Sequence, residues 1–500
     1  MARGIEANTP LARALVLGMV TMATTLYGTT VLVVSVILPQ MQGSLSATQD
    51  QIAWVMTFNI LATAIATPTT GWLTARFGRR NVMIYCQAGF TVSTLLCGMA
   101  ESLETLVFYR ILQGALGAPL IPLAQATILD TYPKEQHGKA TSIFGMGVVI
   151  GPVLGPVLGG YLADVYNWRW AFYMIVPVGA AAVAGLYFLL SDKGRQDGIR
   201  LDWTGFLALA VAIGCVQLML DRGQRLDWFD SLEIVLEAAI GVLAFYFFLA
   251  HSLTTQKPFL TLKLMLDRNY ALGSLTVLIY GMLNFTPMVL FPPMLQGLMG
   301  YPNSIIGELL AARGVGALLG FFSAMFVAKI DPRIGMCIGM GLQAVSGLMM
   351  MTFDHNVTFE SVALVGALQG LSVGLFWVPL TVASFSTMKP EYLAESSAIF
   401  HLLRNLGSSI FISLSVATVI RSSGENYSRM TEHASPFNEN LANLGITLDA
   451  TGTIAGFSGE ILRQASMIGY LNAFALYTIA CLASVPLILM FRIAKRPAPA

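Results

Sequence analysis

The chain contains fourteen long apolar runs that are separated by short polar segments. A helix needs about 20 apolar residues to cross the hydrocarbon core of a bilayer, and each run reaches roughly that length. The runs predict transmembrane helices at 14–38, 51–72, 81–100, 104–129, 139–163, 168–190, 202–221, 231–251, 270–293, 302–328, 333–352, 358–387, 392–420 and 467–491. The predicted fold class is therefore an all-α polytopic membrane protein, and the first run is interpreted as a retained span.

The charge content agrees with a membrane protein and excludes several functions. Charged residues make up 11% of the 500 residues, against about 25% in soluble chains, and a net charge of +1 offers no basic surface for nucleic acid. The five cysteines lie inside apolar runs, and the sequence shows no phosphate-binding loop, metal-ligand cluster or nucleophile triad. We therefore expect no enzyme activity, no cofactor and no bound metal.

The Lys and Arg side chains are distributed unequally between the two sides of the predicted membrane. With the N-terminus inside, nineteen lie in inside segments, six lie in outside segments, and three lie within spans, at Arg110, Arg313 and Arg404. Because cytoplasmic loops carry the excess of Lys and Arg, this distribution predicts that both termini are cytoplasmic. With an odd number of spans, the Lys and Arg residues would no longer be concentrated on one side.

Short segments of the chain repeat at one offset. LQG at 112–114 recurs at 368–370, and SIF at 142–144 is echoed by AIF at 398–400, in both cases 256 residues later. Several matches at one offset indicate a duplicated six-span unit.

This duplication predicts how the domains are organised. An N-terminal six-helix half occupies 1–190, two inserted transmembrane helices with their linkers occupy 191–269, and a C-terminal six-helix half occupies 270–500. Two parallel halves around an axis normal to the membrane form a transporter architecture with a binding site near the midplane.

The fifth span contains the stretch GMGVVIGPVLGPVLGG at 145–160. Glycines recur there every four residues and so line one helix face, where small residues let a neighbouring backbone approach closely. Two prolines each remove a backbone donor. The spacing predicts a tight helix-packing seam, and the doubled Gly-Pro favours an additional role in walling the cavity and sealing a leak path. The residues concerned are Gly147, Gly151, Pro152, Gly155, Pro156, Gly159 and Gly160.

Further motifs are GWLTARFGRR at 71–80, RILQG at 110–114, NWRWAFYMIVPVG at 167–179, LDWTG at 201–205 and LLRNLGSS at 402–409. Together with the glycine-rich stretch, they resemble the major facilitator superfamily and, within it, the 14-span drug:proton antiporters of the EmrB/QacA type. The resemblance implies export of hydrophobic small molecules by alternating access in a bacterial inner membrane. The proton gradient would supply the energy, and the partners would be the substrate, protons and the lipid bilayer.

The segment 71–80, which we call the gate loop, departs from the superfamily pattern because Ala75 stands where an acidic residue is usual. The loop is either an anchor of the topology or a latch between the halves. Without the acid, we expect a helix C-terminal dipole to be the partner of the latch. Its candidate residues are Gly71, Arg76, Gly78, Arg79 and Arg80.

The first span contains no acidic residue. The family branch commonly carries an Asp nine residues before a Pro, and here Pro39 places Thr30 at that position. A buried carboxylate would be the natural proton carrier and the natural partner of a cationic drug. Its absence favours neutral or anionic substrates and leaves the coupling residue open.

Two arginines and one glutamine are candidates for the cavity of a transporter. Arg110 lies in the fourth span, and a guanidinium at that depth must find acceptors or water. Gln113 is one helical step away and is expected to share its network. Arg313 either lines the cavity or pairs with Glu308.

His401 and Arg404 are three residues apart in the thirteenth span and so share one helix face. Imidazole titrates near physiological pH, which makes His401 a candidate for the coupling proton. The alternative is a histidine that is hydrogen-bonded to a neighbouring helix and has no part in coupling. The family usually shows Asn at this position, so the resemblance does not supply the role.

The polar segment 421–466 is predicted to be a partly ordered outside loop. It resembles the loop of permeases that work with a periplasmic adaptor (membrane-fusion) protein and an outer-membrane channel; the alternative is a solvated connector. Two other functions stay open for the whole chain. One is a dedicated exporter of a metabolite or siderophore, and the other is a membrane sensor or scaffold that transports nothing.

Overall fold

The computed structural model describes residues 9–191, 200–327, 331–434 and 451–491, and within these residues the chain is helical and contains no β-strand. The first nine helices are α1 Pro10–Ser44, α2 Gln49–Ala66, α3 Thr70–Phe77, α4 Arg79–Met99, α5 Leu103–Gly117, α6 Leu120–Thr131, α7 His137–Val165, α8 Trp170–Tyr173 and α9 Ile175–Leu189. The others are α10 Trp203–Arg222, α11 Leu232–Thr254, α12 Arg268–Met299, α13 Asn303–Val327, α14 Pro332–Met350, α15 Phe359–Phe385, α16 Leu393–Glu432 and α17 Thr451–Leu489.

Fourteen segments of the described chain are helices that are long and apolar enough to cross a membrane, which confirms the predicted number of spans. Three spans of the described chain are broken: the sixth between α8 and α9, just before Pro177, and two others directly at a proline. The second consists of α2 and α3 with a 3₁₀ turn at Thr67–Thr69 between them, and the fourth consists of α5 and α6, which meet at Pro119. Proline causes such breaks because its ring lacks the backbone N–H that a continuous helix needs.

The same contacts occur in the first and last parts of the chain. Gln113 on α5 donates to Thr94 Oγ1 on α4 at 2.7 Å. Gln369 on α15 points its amide nitrogen at Met350 Sδ on α14 at 3.5 Å. Both residues of the second pair lie 256 positions after those of the first. The offset seen in the sequence therefore corresponds to equivalent packing of α4 with α5 and of α14 with α15.

The helix α10 lies between α2 and α16 and is hydrogen-bonded to both. Thr57 on α2 donates to Asp221 at 2.7 Å, and Ser409 on α16 donates to Gln217 at 3.0 Å. Its neighbour α11 packs mainly on α10 and is otherwise largely exposed, as expected for a lipid-facing helix.

The LDWTG motif is explained by the contacts of Asp202. This carboxylate caps α10 by accepting from the Gly205 N–H at 3.0 Å, and it also accepts from His251 at 2.9 Å and from the Phe259 N–H at 3.0 Å. Burial raises the pKa of the Asp202 carboxyl, but these hydrogen bonds outweigh burial and hold the pKa below its usual range. Asp202 thus joins the start of α10 to the end of α11 and to the linker that follows α11.

The segment 421–466 is not a loop in its described part, so the prediction was wrong there. The helix α16 continues to Glu432 and α17 begins at Thr451. The two pack together through hydrogen bonds such as Tyr427 to Ser458 at 2.8 Å, and this packing supports helices whose polar sequence indicates a loop.

Some sequence expectations fall on residues outside the described ranges. These are the middle of the predicted loop, 435–450, and several basic residues that we used for the orientation, at 1–8, 192–199, 328–330 and 492–500.

Candidate functional site

Arg110 is buried in the bundle with only 1% of its surface exposed. Its Nε donates to the Val55 carbonyl at 3.2 Å, and its Nη1 donates to Gln113 Oε1. Gln113 in turn donates to Thr94 Oγ1. The structure therefore brings Arg110 and Gln113 into one network that joins α2, α4 and α5.

Arg313 is also buried, and it bonds away from Glu308. It donates to Gln369 Oε1 at 2.9 Å, to the Asn284 carbonyl at 2.5 Å and to Asn284 Oδ1 at 2.8 Å. Glu308 is exposed, and within the described residues no ion pair joins it to Arg313. Arg313 was expected either to line the cavity or to pair with Glu308, and in the described residues it does not pair with Glu308.

His401 makes a contact between distant parts of the chain. Its Nε2 lies 2.6 Å from Gln125 Oε1 on α6, and because an amide oxygen only accepts, the imidazole is the donor. The other ring nitrogen, Nδ1, is buried and makes no hydrogen bond within the described residues. Arg404 and His401 both pack on Trp377, which agrees with a shared helix face.

Among the residues that the structure describes, Thr30, which stands where the family branch has an acid, bonds only to its own helix. Its hydroxyl lies 2.8 Å from the Leu26 carbonyl and 2.9 Å from the Tyr27 carbonyl. The side chain is 2% exposed. Thr30 satisfies itself locally and brings no group that could carry a proton.

The glycine face of α7 packs against α1. An added methyl group at Gly147, Gly151, Gly155 or Gly159 would collide with Thr21, Thr25, Thr29 or Val33 of α1. The Thr25 hydroxyl also donates to the Gly147 carbonyl at 2.9 Å. The expected helix-packing seam is therefore present, between two helices of the N-terminal part.

The other residues of this motif lie beside the seam. Pro152 packs near Gly28, and Gly160 lies near Val36. The backbone of Pro156 is helical, but its side chain is outside the described set.

The seam predicts a position-dependent cost of substitution. In Gly151→Ala the new Cβ would lie 2.5 Å from the Thr25 carbonyl oxygen, so we expect α1 and α7 to be forced apart and the free energy of unfolding to fall by about 1–3 kcal/mol. Gly160→Ala is the matched control, because its Cβ would meet Val36 at an ordinary 3.4 Å. Thermal unfolding of the purified proteins measures both. Equal stability of the two variants would contradict the seam.

In the gate loop, Arg79 has a carboxylate partner. Its Nη1 lies 3.1 Å from Asp130 Oδ2 and 3.5 Å from the Ala126 carbonyl, both near the C-terminal end of α6. The dipole of a helix end is the partner expected in the absence of an acid at Ala75, and Arg79 lies at the C-terminal end of α6. Asp130 adds a negative charge there, from a helix of the same N-terminal part of the chain.

The remaining residues of the gate loop have distinct surroundings. Gly78 adopts a φ of +83°, which side-chain-bearing residues rarely adopt, so the turn between α3 and α4 requires glycine. Arg80 donates to the Tyr187 carbonyl at 2.7 Å and lies over the Tyr187 ring, whereas Arg76 is exposed.

Three contacts link the N-terminal and C-terminal parts of the bundle on the gate-loop side. Gly71 lies so close to Glu395 on α16 that an added methyl group would be 2.9 Å from its Cβ. Lys134 donates to the Ser386 carbonyl at 3.0 Å. Together with the bond between His401 and Gln125, these contacts close that end of the bundle.

Glu395 is also tied to the linker that precedes α12. Its carboxylate accepts from the Thr261 backbone N–H at 2.5 Å and faces the Thr261 hydroxyl at 3.4 Å. The linker, α16 and the gate loop therefore meet at one carboxylate.

Sequence reasoning missed most partners of the charged side chains. These partners are Gln125, Gln369, Asn284 and Trp377. Gln369 could have been found from the repeat, because it lies 256 positions after Gln113. The only sequence signal for Gln125 is that it is a polar residue inside an apolar span.

Comparison with known proteins agrees with this architecture. The sequence profile of the Major Facilitator Superfamily matches residues 20–412. The chain is 33% identical over 438 residues to the multidrug export protein EmrB of Escherichia coli K12, covering 86% of this chain and 85% of that protein. It is 30% identical over 466 residues to the fatty acid resistance protein FarB of Neisseria gonorrhoeae, covering 91% of each.

The fold is also that of a solved transporter. The crystal structure of the human organic anion transporter MFSD10 (TETRAN) superimposes with a TM-score of 0.66 at 12% identity, covering 96% of this chain and all of that one. The helical bundle, its fourteen apolar spans and these similarities agree with one another. The chain belongs to the Major Facilitator Superfamily, in the group of the EmrB-type multidrug export proteins.

Proposed function

We propose that this protein is a proton-coupled secondary exporter of hydrophobic small molecules. The two halves, 1–190 and 270–500, would rock about a central cavity and open it to one side of the membrane at a time. The relatives named as multidrug export and fatty acid resistance proteins support the substrate class. The observation that carries the proposal is the hydrogen bond between His401 and Gln125, which links the halves through a group that can take up a proton.

The coupling follows from the surroundings of His401. Among the described residues, the charged group that acts on it is Arg404, and no carboxylate does. A proton on His401 would bury a second positive charge beside Arg404 and leave the Nδ1–H without an acceptor. Protonation would therefore favour separation of His401 from Gln125, which lets water reach the imidazolium.

This bias has the direction that an exporter needs. The gate-loop side, which is closed in the structure, would be cytoplasmic together with both chain termini. A proton that arrives from the outside would open this side, leave into the cytoplasm, and allow substrate to bind to the deprotonated carrier. Closure of the contacts at Gly71 and Lys134 would then carry the substrate outward.

The proposed setting is a bacterial inner membrane. The part of α16 and α17 that extends past the predicted spans would lie in the periplasm as a pair of packed helices, with bonds such as that between Tyr427 and Ser458 at 2.8 Å. A rigid pair of this kind would offer a periplasmic adaptor protein a docking surface from which the substrate could pass on to an outer-membrane channel.

The test uses the full chain in sealed proteoliposomes with an imposed pH gradient. We expect export of several unrelated hydrophobic drugs that stops when an ionophore dissipates the gradient. Transport of one metabolite alone would favour a dedicated exporter. Drug binding with neither transport nor proton release would instead favour a sensor or scaffold. Passive leakage of each drug is measured in matched liposomes without protein.

A further inference from the structure

Arg404 is the least satisfied of the three arginines in the interior. Its Nε and Nη2 both donate to one acceptor, Asn405 Oδ1, at 3.3 and 3.1 Å, and within the described residues its Nη1 makes no hydrogen bond. Arg110 is almost fully buried and is bonded to a second helix, whereas Arg404, in the described part of the chain, is bonded only to its neighbour in sequence and stays partly exposed. One edge of this guanidinium is therefore available to a ligand.

Aromatic rings form the walls around this edge. The guanidinium carbon lies 5.9 Å from the ring centroid of Phe285 and 5.6 Å from that of Trp377. The backbone of Arg404 also packs on α12, where a methyl group added to Gly281 would strike the Arg404 carbonyl. Arg404 thus lies where α12, α15 and α16 meet, with aromatic surface beside its charge.

The interior around these groups carries positive charge without a compensating acid. The hydrogen bonds of Arg110, Arg313 and Arg404 all go to neutral carbonyl or amide oxygens, and no carboxylate acts on any of them in the described part of the chain. A charge at this depth in a membrane is costly unless an anion or water approaches it. A bound anion is therefore the complementary ligand.

We propose that Arg404 binds the anionic group of the transported molecule through its free edge, while Phe285 and Trp377 hold the apolar part. The site suits a monovalent organic anion with an aromatic or acyl body, such as a hydrophobic carboxylate. The inference rests on the proposed export function and narrows its substrates. Chloride shares the chemistry of the charged group, and the experiment separates the two ligands.

Binding is measured by calorimetry on the full chain in nanodiscs with three probes of similar shape: naphthoate, methyl naphthoate and (naphthylmethyl)trimethylammonium. We expect naphthoate to bind most tightly and Arg404→Gln to weaken its binding by about tenfold or more, because a charge-assisted hydrogen bond is lost. The affinity for methyl naphthoate should stay unchanged, and Arg404→Lys should lie between. Equal losses for naphthoate and its ester would overturn the proposal.

A second variant keeps the test valid should Arg404→Gln fail to fold. Asn405→Asp leaves Arg404 in place but puts a carboxylate at its present acceptor, so it should weaken naphthoate binding and strengthen binding of the cation. Unchanged affinities in this variant would contradict the anion site. Arg429→Gln, on an exposed ion pair of α16, is the matched control for loss of an arginine.

The chloride arm replaces sodium gluconate with sodium chloride in binding and in efflux from proteoliposomes. If naphthoate is the ligand, chloride leaves its export intact. The proposal would be overturned if chloride abolished naphthoate binding and naphthoate was not exported even in gluconate. The free edge of Arg404 would then be a chloride site. Efflux of methyl naphthoate driven by a pH gradient tests the exporter function separately, because the ester does not need the charge of Arg404.

Discussion

Replacement of His401 by glutamine is expected to abolish efflux driven by a pH gradient while the protein still folds. Glutamine can donate to Gln125 as the imidazole does, so the contact between α16 and α6 is kept. It cannot take up a proton, so the bias that opens the gate-loop side is lost. A tenfold bias corresponds to about 1.4 kcal/mol, and we expect gradient-driven efflux to fall by about tenfold or more.

The measurement compares two modes of transport in the same proteoliposomes. Gradient-driven efflux should fall in His401→Gln, whereas exchange of labelled for unlabelled substrate without a gradient should continue. His355→Gln is the matched control, because His355 lies in the connection between α14 and α15, away from the contact with Gln125. Efflux at the wild-type rate in His401→Gln would show that the coupling proton is carried elsewhere.

The spans could be predicted from the sequence because a bilayer imposes a minimum length of apolar helix. The apolar runs predict the number of spans, but they do not predict where a helix ends once it has left the membrane. The thirteenth span was predicted to end at residue 420, and α16 continues to Glu432 because α17 packs beside it. Helix length outside the bilayer depends on tertiary contacts, which a hydropathy pattern does not contain.

The charged residues of the interior could also be predicted, because a guanidinium or imidazole at this depth is rare. Their partners could not, because periodicity describes one helix and does not say which helices meet. Gln125 is 276 positions from His401, and only the folded chain brings them together. The gate loop shows the same limit, since the carboxylate that pairs with Arg79 is that of Asp130 on another helix.

The second large effect concerns Arg110. Its removal would leave Gln113 Oε1 without a donor inside the bundle, at about 1–3 kcal/mol for the unsatisfied group, and would take away the side-chain donor that the Val55 carbonyl has in addition to its helical hydrogen bond. We expect Arg110→Gly to insert into the membrane and fold, to unfold at a lower temperature, and to lose substrate efflux down to the leak of empty liposomes. Wild-type efflux in this variant would exclude a role for Arg110 in transport.

In the N-terminal part the arginine is on α5, which packs against α2. In the equivalent pair of the C-terminal part, α13 and α15, the arginine is on α13, the counterpart of α2. The position 256 residues after Arg110 is Gly366, and there Arg313 on α13 reaches Gln369 instead. The counterpart of Arg313 on α2 is Asn59.

The glycines of the LQG repeat establish this correspondence. A methyl group added to Gly114 would strike the Asn59 carbonyl, and one added to Gly370 would strike the Arg313 carbonyl. Asn59 and Arg313 therefore occupy the same place in their helix pairs. Each pair brings one arginine to one buried glutamine, but the arginine is on α5 in one pair and on α13 in the other.

An arginine moved from α5 to α2 should therefore serve the same glutamine. In the double variant Asn59→Arg/Arg110→Gly, the new guanidinium is expected to reach Gln113 as Arg313 reaches Gln369, and to restore part of the efflux and of the thermal stability lost in Arg110→Gly. Asn59→Arg alone is the control, because two arginines around one glutamine repel each other and should impair transport. A double variant no better than Arg110→Gly would mean that transport requires the bond from Arg110 on α5 to the Val55 carbonyl on α2. An arginine at position 59 is itself on α2 and does not replace this bond between the two helices.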